Sequence, residues 1–349
     1  MAGEWRELTV EEFAEVVGGG TPSTADERNF GGDIPWITPK DLSNYGFRYI
    51  ERGERNITEK GLLESNATLL PAGAVLLSTR APVGYLAIAK NPLTTNQGFK
   101  SLVVRDGFDN EFVFYLLKAN VEYLKSQASG TTFGELSGTT LRKLKFLIPP
   151  LPEQRAIAAV LGALDDKIEL NRRMNRTLEA IAQAVFRHWF VENEEAEGWE
   201  VGQVCDWGKV ITGKTPPTAD EDNYNGNIPF ITIPDMHGKI FVIETGKTLS
   251  EKGAQIQSNK TLPPFSICVS CIATPGLVSI TTVPSQTNQQ INSLIPKDKE
   301  STFYCYFALR ELADEIRAHG SGGSVVLNLI VQVSFCKMTG VLRLVGFPI

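Results

Sequence analysis

Gly208, Gly213, Lys214 and Thr215 stand at the spacing G-x-x-x-x-G-K-T, the pattern of a loop whose backbone amides cradle nucleotide phosphates and whose lysine reaches them. Such a loop works where a buried strand runs into it and a helix starts at the lysine. Here Pro216 and Pro217 follow at once, removing backbone donors and forcing the residues before them out of the helical region. The expectation is a turn in which Gly213 and the prolines redirect the chain, with a P-loop NTPase over Gly208 to Thr215 as the alternative. Cys268 and Cys271 form a C-x-x-C, half of a zinc site, but there is no second pair, and the histidines are His188, His237 and His319. Two ordinary thiols in or near a strand are expected. Asn91-Pro92 runs on into Leu93 and Thr94, so the N-P-P-Y tetrad of a methyltransferase is missing, and no nucleophile, base and orienting group assemble from the scattered histidines. No catalytic residue, metal or cofactor is expected; the residues describe a protein that binds rather than reacts.

Composition bounds the class. With 349 residues there is room for two or more domains, each with its own core, and 42% hydrophobic against 21% charged residues fits a globular protein. The longest apolar runs, such as LLPAGAVLL from Leu69, fall far short of the roughly 20 residues of a membrane span. The start, MAGEWRELTVEEF, is acidic and lacks a hydrophobic signal core, and the cysteines form an odd, unpatterned set. A cytoplasmic setting is expected from both. The net charge of −6 offers no whole-chain attraction for nucleic acid, so any such contact must use a local basic face.

Self-comparison gives the organisation. TPSTADERNF from Thr21 returns as TPPTADEDNY from Thr215, 194 residues on, and at the same offset GDIPWIT from Gly32 meets GNIPFIT from Gly226, Asp41 meets Asp235 and Trp5 meets Trp199. After small length changes Glu59-Lys60-Gly61 meets Glu251-Lys252-Gly253, Leu70-Pro71 meets Leu262-Pro263, Ser78 meets Ser270, and Thr95-Asn96-Gln97 meets Thr287-Asn288-Gln289. The chain therefore holds two copies of one domain of about 150 residues. Lys214 corresponds to Gly20 and Gly208 to Ala14, so the phosphate-loop pattern is absent from the first copy. Within a copy, IPWIT, AVLLST, YLAIA and KSLVV read as strands, and FVFYLLKANVEYLKSQ from Phe112 has helical spacing. Strands followed by a helix, without regular alternation, predict an α+β fold.

Between the copies, from Pro152, lies the longest helical signal in the chain. Ile157, Leu161, Leu164, Ile168, Asn171, Asn175, Leu178, Ala182, Val185 and Trp189 form a heptad seam. Some 40 residues make a rod of about 60 Å, whose stripe needs a second helix against it. Asn171 and Asn175 in the seam are expected to fix the register of that partner. Arg172, Arg173 and Arg176 are either a solvated face or within reach of a phosphate backbone.

Two related domains around one long helix, with Pro149-Pro150-Leu151-Pro152-Glu153-Gln154 at its start, then Leu164-Asp165, Lys167-Ile168, Asn171 and Thr177-Leu178-Glu179, resemble the specificity subunit of type I restriction-modification enzymes. GGTPST from Gly19, GDIPWIT and the repetition add to the likeness, which covers nearly the whole chain. It implies a target recognition domain at 1–150, a conserved spacer and docking helix at 151–196, a second recognition domain at 197–338 and an atypical tail at 339–349. It further implies double-stranded DNA as ligand, each domain reading one half of a split target, with methyltransferase (M) and restriction/translocase (R) subunits as partners that supply adenine methylation and cleavage. Two readers on a rigid spacer suit two separated half-sites. The runner-up to DNA reading is a coiled-coil scaffold whose globular ends contact proteins.

Asn and Gln pair with adenine and Arg with guanine, while Ser and Thr hold phosphates. The candidate contacts at matching places are Thr38, Lys40 and Asn44 with Thr232 and His237; Arg80; Asn96 and Gln97 with Asn288 and Gln289; and Thr131 and Thr132 with Ser321 and Ser324. Base-choosing residues should differ between copies, which favours Lys40, Asn44, Tyr45, Arg48 and Arg80 against Pro234, His237 and Ile272. The helix-pairing set is Ile157, Leu161, Leu164, Ile168, Asn171, Asn175, Leu178 and Val185. One departure from the family stands out: after Leu329 nothing matches Pro152 to Asn193. The expectation is a shortened chain or a helix supplied by another chain, and an exposed seam would favour self-association.

Overall fold

In the computed structural model, which describes residues 4–43, 45–80, 82–128, 134–193, 200–201, 203–313 and 343–344, the apolar runs of the first copy become strands. These are β1 (Arg6–Thr9), β2 (Ala14–Gly18), β3 (Phe30–Ile37), β4 (Tyr49–Ile50), β5 (Arg55–Ile57), β6 (Val75–Thr79), β7 (Val83–Ala89), β8 (Thr94–Thr95), β9 (Lys100–Val104) and β10 (Lys145–Ile148). The helices are α1 (Val10–Phe13), α2 (Pro39–Leu42), α3 (Glu59–Leu63), α4 (Asn110–Ala119), α5 (Val121–Ser126), α6 (Gly138–Lys143) and the long α7 (Leu151–Phe186). Strands β2, β9, β6, β7 and β4 lie side by side in that order, antiparallel except for the parallel pair β4 and β7. Strand β3 sits between β5 and β8, and β1 pairs with β10.

Strand β6 is buried on both faces, as a continuous apolar run requires. Val75 and Leu77 join the core under α4, α5 and α6, while Leu76 joins Ile37, Ala87, Leu93 and Phe99 in a second cluster. The helical run from Phe112 divides at Asn120, whose amide Nδ2 donates to the Leu116 carbonyl and ends α4. Asp109 and Ser137 cap α4 and α6 by accepting from the amides of Phe112 and Thr140.

The second copy repeats this order strand for strand. Its elements are β11 (Glu200–Val201), β12 (Gly208–Thr212), β13 (Tyr224–Ile231), α8 (Ile233–Met236), β14 (Phe241–Val242), β15 (Thr248–Leu249), α9 (Glu251–Gln255), β16 (Ile267–Ser270), β17 (Val278–Thr281), β18 (Gln286–Thr287), β19 (Ile291–Pro296), α10 (Thr302–Glu311) and β20 (Arg343–Leu344). The five-stranded sheet reads β12, β19, β16, β17, β14 and the three-stranded one β15, β13, β18. Even the irregularity recurs: Phe30 and Ile34 both face Ile57, and Tyr224 and Ile228 both face Leu249. Gly32 and Gly226 explain the shared G-x-I-P wording, since a Cβ at either would come within 2.6 Å of the carbonyl oxygen of Ile57 or Leu249. Strand β20 pairs with β11 as β10 pairs with β1, so this part of the 339–349 tail completes the second copy's sheet pattern.

The chain separates into two compact units, Met1–Asn175 and Arg176–Ile349, and the division falls inside α7. Past Phe186 the helix widens into a π turn over Arg187–Val191. Among the described residues no helix is long and apolar enough to cross a membrane.

Candidate nucleic-acid interface

The phosphate-loop reading fails on hydrogen bonds. Gly208 lies in β12, and the Gly213 amide donates to the Ile291 carbonyl and the Lys214 amide to the Thr287 carbonyl, so neither amide is left for a phosphate. The first copy uses Gly19 and Gly20 in the same way, onto Phe99 and Thr95. Thr215 Oγ1 donates to Gln289 Oε1 at 2.5 Å, and no helix starts at Lys214. The C-x-x-C thiols do not converge either. Cys268 belongs to the cluster with Ile231 and Leu262, Cys271 to the one with Ile267 and Val269, and burial pushes the two thiols up to about 12 and about 11.

Most of the shared polar residues hold the turns together. Asp41 accepts from the amide and hydroxyl of Thr38, at 2.7 and 2.6 Å, and from the Glu54 amide at 2.7 Å. Asp235 does the same for Thr232, at 2.8 and 2.7 Å, and for the Gly246 amide. Both are capping boxes, so Thr38 and Thr232 are occupied at helix starts. Asn96 turns the chain by accepting from the Gly98 amide, and Asn288 does so for Gln290. Gln97 and Gln289 are exposed, each accepting from the hydroxyl of Thr21 or Thr215. Lys60 pairs with Asp26 and Lys252 with Asp220, again in both copies.

The copy-specific candidates scatter. Lys40 is exposed and paired with Glu54 at 2.6 Å; Tyr45 is half-buried, donating to the Tyr49 carbonyl; His237 is exposed at the end of α8; Ile272 packs on the second core; and Arg80 is half-buried with no hydrogen bond or ion pair among the described residues. Asn44, Thr131, Thr132, Ser321 and Ser324 lie outside the described residues.

Arg48 differs most from its expected role. Its side chain is 9% exposed, donating to Tyr115 Oη at 3.0 Å and Asp166 Oδ1 at 2.8 Å, with Glu111 at 3.6 Å. Tyr115 Oη in turn donates to Asp165 at 2.9 Å, and burial, then this contact, raises its phenol to about 12 against the pull of Arg48. Gly162 makes room: a Cβ there would stand 2.4 Å from Arg48 Nη1. Arg48 therefore fastens the first half of α7 to its own unit rather than facing a ligand. Its counterpart is Ile240, since the amides of Ile88 and Ile280 donate to the carbonyls of Arg48 and Ile240 respectively. Without that arginine, unit 2 keeps a cavity of about 370 Å³ lined by Ile240, Tyr306, Arg310, Glu179 and Gln183.

The helix face that docks is small and polar. Gln154 and Ala158 are buried, Gln154 binding the Asp109 amide and the Pro149 carbonyl, and Arg172 donates to the Gly46 carbonyl. Arg173 pairs with Glu169, so these arginines of the helix are engaged within it or its unit. In unit 2, Glu179 pairs with Arg310, Arg187 with Glu311, and Phe186 packs among Phe190, Tyr304 and Phe307. The expected seam is the other face. Leu161, Leu164, Ile168, Leu178 and Val185 are 37 to 59% exposed, and Asn171 and Asn175 are exposed with them; Ile157 alone of the seam set packs partly on the first core.

Two α+β modules whose described strands follow one order, separated in sequence by one long helix, define a tandem-repeat architecture. The family model for the type I restriction modification DNA specificity domain matches residues 2–180 and 196–329, and the chain belongs to that family. Among its relatives, the type I restriction enzyme MjaIX specificity subunit of Methanocaldococcus jannaschii is 44% identical in an alignment that covers 67% of this chain and 58% of that protein. The HindI specificity subunit of Haemophilus influenzae is 35% identical in an alignment that covers 63% of this chain and 64% of that one. The chain thus spans less than two thirds of the length of these relatives. The crystal structure of a type I restriction-modification S subunit from M. genitalium shares the fold, with a TM-score of 0.56 at 16% identity over 93% of this chain and 82% of that one.

Proposed function

We propose that the chain is the non-catalytic DNA-recognition subunit of a type I restriction-modification complex, working in the cytoplasm. Modules 1–150 and 197–338, the second joined by β20 of the tail, each inspect one half of a bipartite duplex target, and the helix of 151–196 is spacer and docking element for the methyltransferase and restriction/translocase subunits. The observation that carries this reading is the strand-for-strand identity of two modules within a DNA-specificity family, while exposed positions such as Lys214, against Gly20 in the first module, differ. One architecture used twice with different linings suits two unlike half-sites. The stripe of Leu161, Leu164, Ile168, Leu178 and Val185 takes a helix, and in the absence of another supplier a second copy of this chain associates through it.

The test is a module exchange read by methylome sequencing. Replacing residues 203–313 with the equivalent segment of another family member should change one half of a split methylated motif and leave the other intact. A change in both halves, or the absence of any split motif in cells carrying the complete system, contradicts the proposal.

A further inference from the structure

The end of the first strand of each five-stranded sheet collects positive charge, and does so by different means in the two modules. In the first, Lys100 opens β9 opposite Gly18, the last residue of β2; Lys100 Nζ lies 3.8 Å from where a Gly18 Cβ would stand. Arg142 Nη2 donates to the Val16 carbonyl at 3.1 Å, and a Cβ at Gly138 would lie 3.6 Å from both Arg142 Nη1 and the Lys100 stem. The two cations therefore converge beside the end of β2.

In the second module the counterparts of Gly18 and Lys100 carry no charge. Thr212 replaces Gly18 and Asn292 replaces Lys100, and their side chains hydrogen-bond to each other at 2.7 Å. Charge arrives from elsewhere. Lys260 Nζ donates to the Thr212 carbonyl at 2.7 Å, and Lys214 follows Gly213 at the same exit. Their counterparts in S-N-A-T and S-N-K-T, and in the turn after the strand, are Ala67 and Gly20, which touch so closely that a Cβ on Gly20 would stand 2.3 Å from the Ala67 nitrogen.

None of these four cations meets a carboxylate among the described residues, in a chain whose net charge is −6. Burial, and then the charge of Lys214, lowers the pKa of Lys260. Exposed amides flank both corners, because Gln97 and Gln289 sit in the turns that receive the strand-exit amides. Arg142 and Lys260 also tie down the Val16 and Thr212 carbonyls, but Lys100 and Lys214 beside them have no side-chain bond among the described residues, so each pair brings to the strand exit a charge that closing the turn does not use.

We propose that this strand exit is the DNA-phosphate contact of each module, made by Lys100 and Arg142 in the first and by Lys214 and Lys260 in the second. The inference rests on the DNA-recognition reading and adds where the backbone is held. The test titrates the full chain against a fluorescein-labelled mixed-sequence duplex of about 40 base pairs from about 50 to 200 mM KCl. Lys214→Gln with Lys260→Gln, and separately Lys100→Gln with Arg142→Gln, should each weaken binding on the order of tenfold near 100 mM salt and reduce the slope of log K against log[KCl] by ~2, at ~0.9 per phosphate lost. Lys214→Arg with Lys260→Arg should restore the slope, and Lys145→Gln, whose lysine is paired with Glu7, should leave it unchanged. Wild-type binding with an unaltered slope in both double variants overturns this proposal and leaves the recognition reading standing. A wild-type chain that ignores the duplex throughout the salt range overturns both.

Discussion

Replacing Arg48 separates a reader of bases from a fastener of the helix. In Arg48→Ala, Tyr115 loses a donor, Asp166 loses its partner, and Glu111 keeps only Tyr49. A charge-assisted hydrogen bond is worth about 1.5–3 kcal/mol where it is buried, but Asp166 is two-thirds exposed, and an ion pair at such a site contributes at most ~1 kcal/mol. Adding the Tyr115 bond and the packing of a side chain 9% exposed gives a loss of roughly 2–3 kcal/mol for unit 1. In a unit of this size that lowers its melting transition by about 5–10 °C. The readout is thermal unfolding of the full chain together with hydrogen exchange along α7. Amides of 154–169 should exchange faster, while those of 179–186, held in unit 2 by Arg310, Glu311 and the Phe186 cluster, should not. Arg48→Lys, which keeps the charge and loses the two-pronged donor, should fall between. An Arg48→Ala chain with unchanged melting and exchange but altered base preference in DNA binding would return Arg48 to the recognition surface and refute the anchoring argument.

Asp235→Ala in the second module should cost about 1–2 kcal/mol, because it removes the acceptor of a capping box, and urea unfolding of unit 2 is the check; Thr232→Ala should cost less, since the Thr232 amide keeps its bond to Asp235. Cys268 and Cys271, with thiols pushed up to about 12 and about 11, should resist dithionitrobenzoate at pH 8 until the chain is denatured, and rapid native labelling would contradict their burial. Arg28 and Lys60 beside Asp26 hold its carboxyl well below the usual range. A carboxylate lowered in the folded state stabilises it above the unfolded pKa of about 3.9, and that stability is lost as pH falls further. Asp26→Asn should therefore flatten the acid-side decline of unit 1, which differential scanning calorimetry below about pH 4 will show. Leu164→Glu with Leu178→Glu should abolish concentration-dependent self-association in sedimentation, because both side chains stand more than half exposed on the open face of α7.

The repeat made much of this fold legible before any coordinates. Matching T-P, G-x-I-P and T-N-Q elements specified two copies, and the long strands fell where β-branched and leucine runs stood. Strand order was not legible, since β4, β5 and β8 are two or three residues long and carry no period. Nor was the docking face of α7, because Gln154, Ala158, Gly162 and Asp165 show no hydrophobic pattern while the apolar seam advertises the opposite side. Arg48 misled for a related reason: its partners Tyr115 and Asp166 lie 67 and 118 residues away, so its difference from Ile240 looked like a difference in reading.

That error sharpens the rule for such a chain. A polar residue shared by both modules tends to close a turn, as Thr38 with Asp41 and Thr232 with Asp235 do. A residue that differs has two explanations, because the modules meet α7 in different ways and, in the function proposed above, read different half-sites. Arg48 and Ile240 belong to the first kind: the arginine fills the junction with the helix, and the isoleucine leaves a cavity there. Lys214 and Lys260 against Gly20 and Ala67 belong to the second, because neither lysine has a carboxylate among the described residues and the replaced pair needs no charge to close its turn. Divergence identifies a recognition residue only after its internal partners have been accounted for, and the strand exit is where charge remains once they have been.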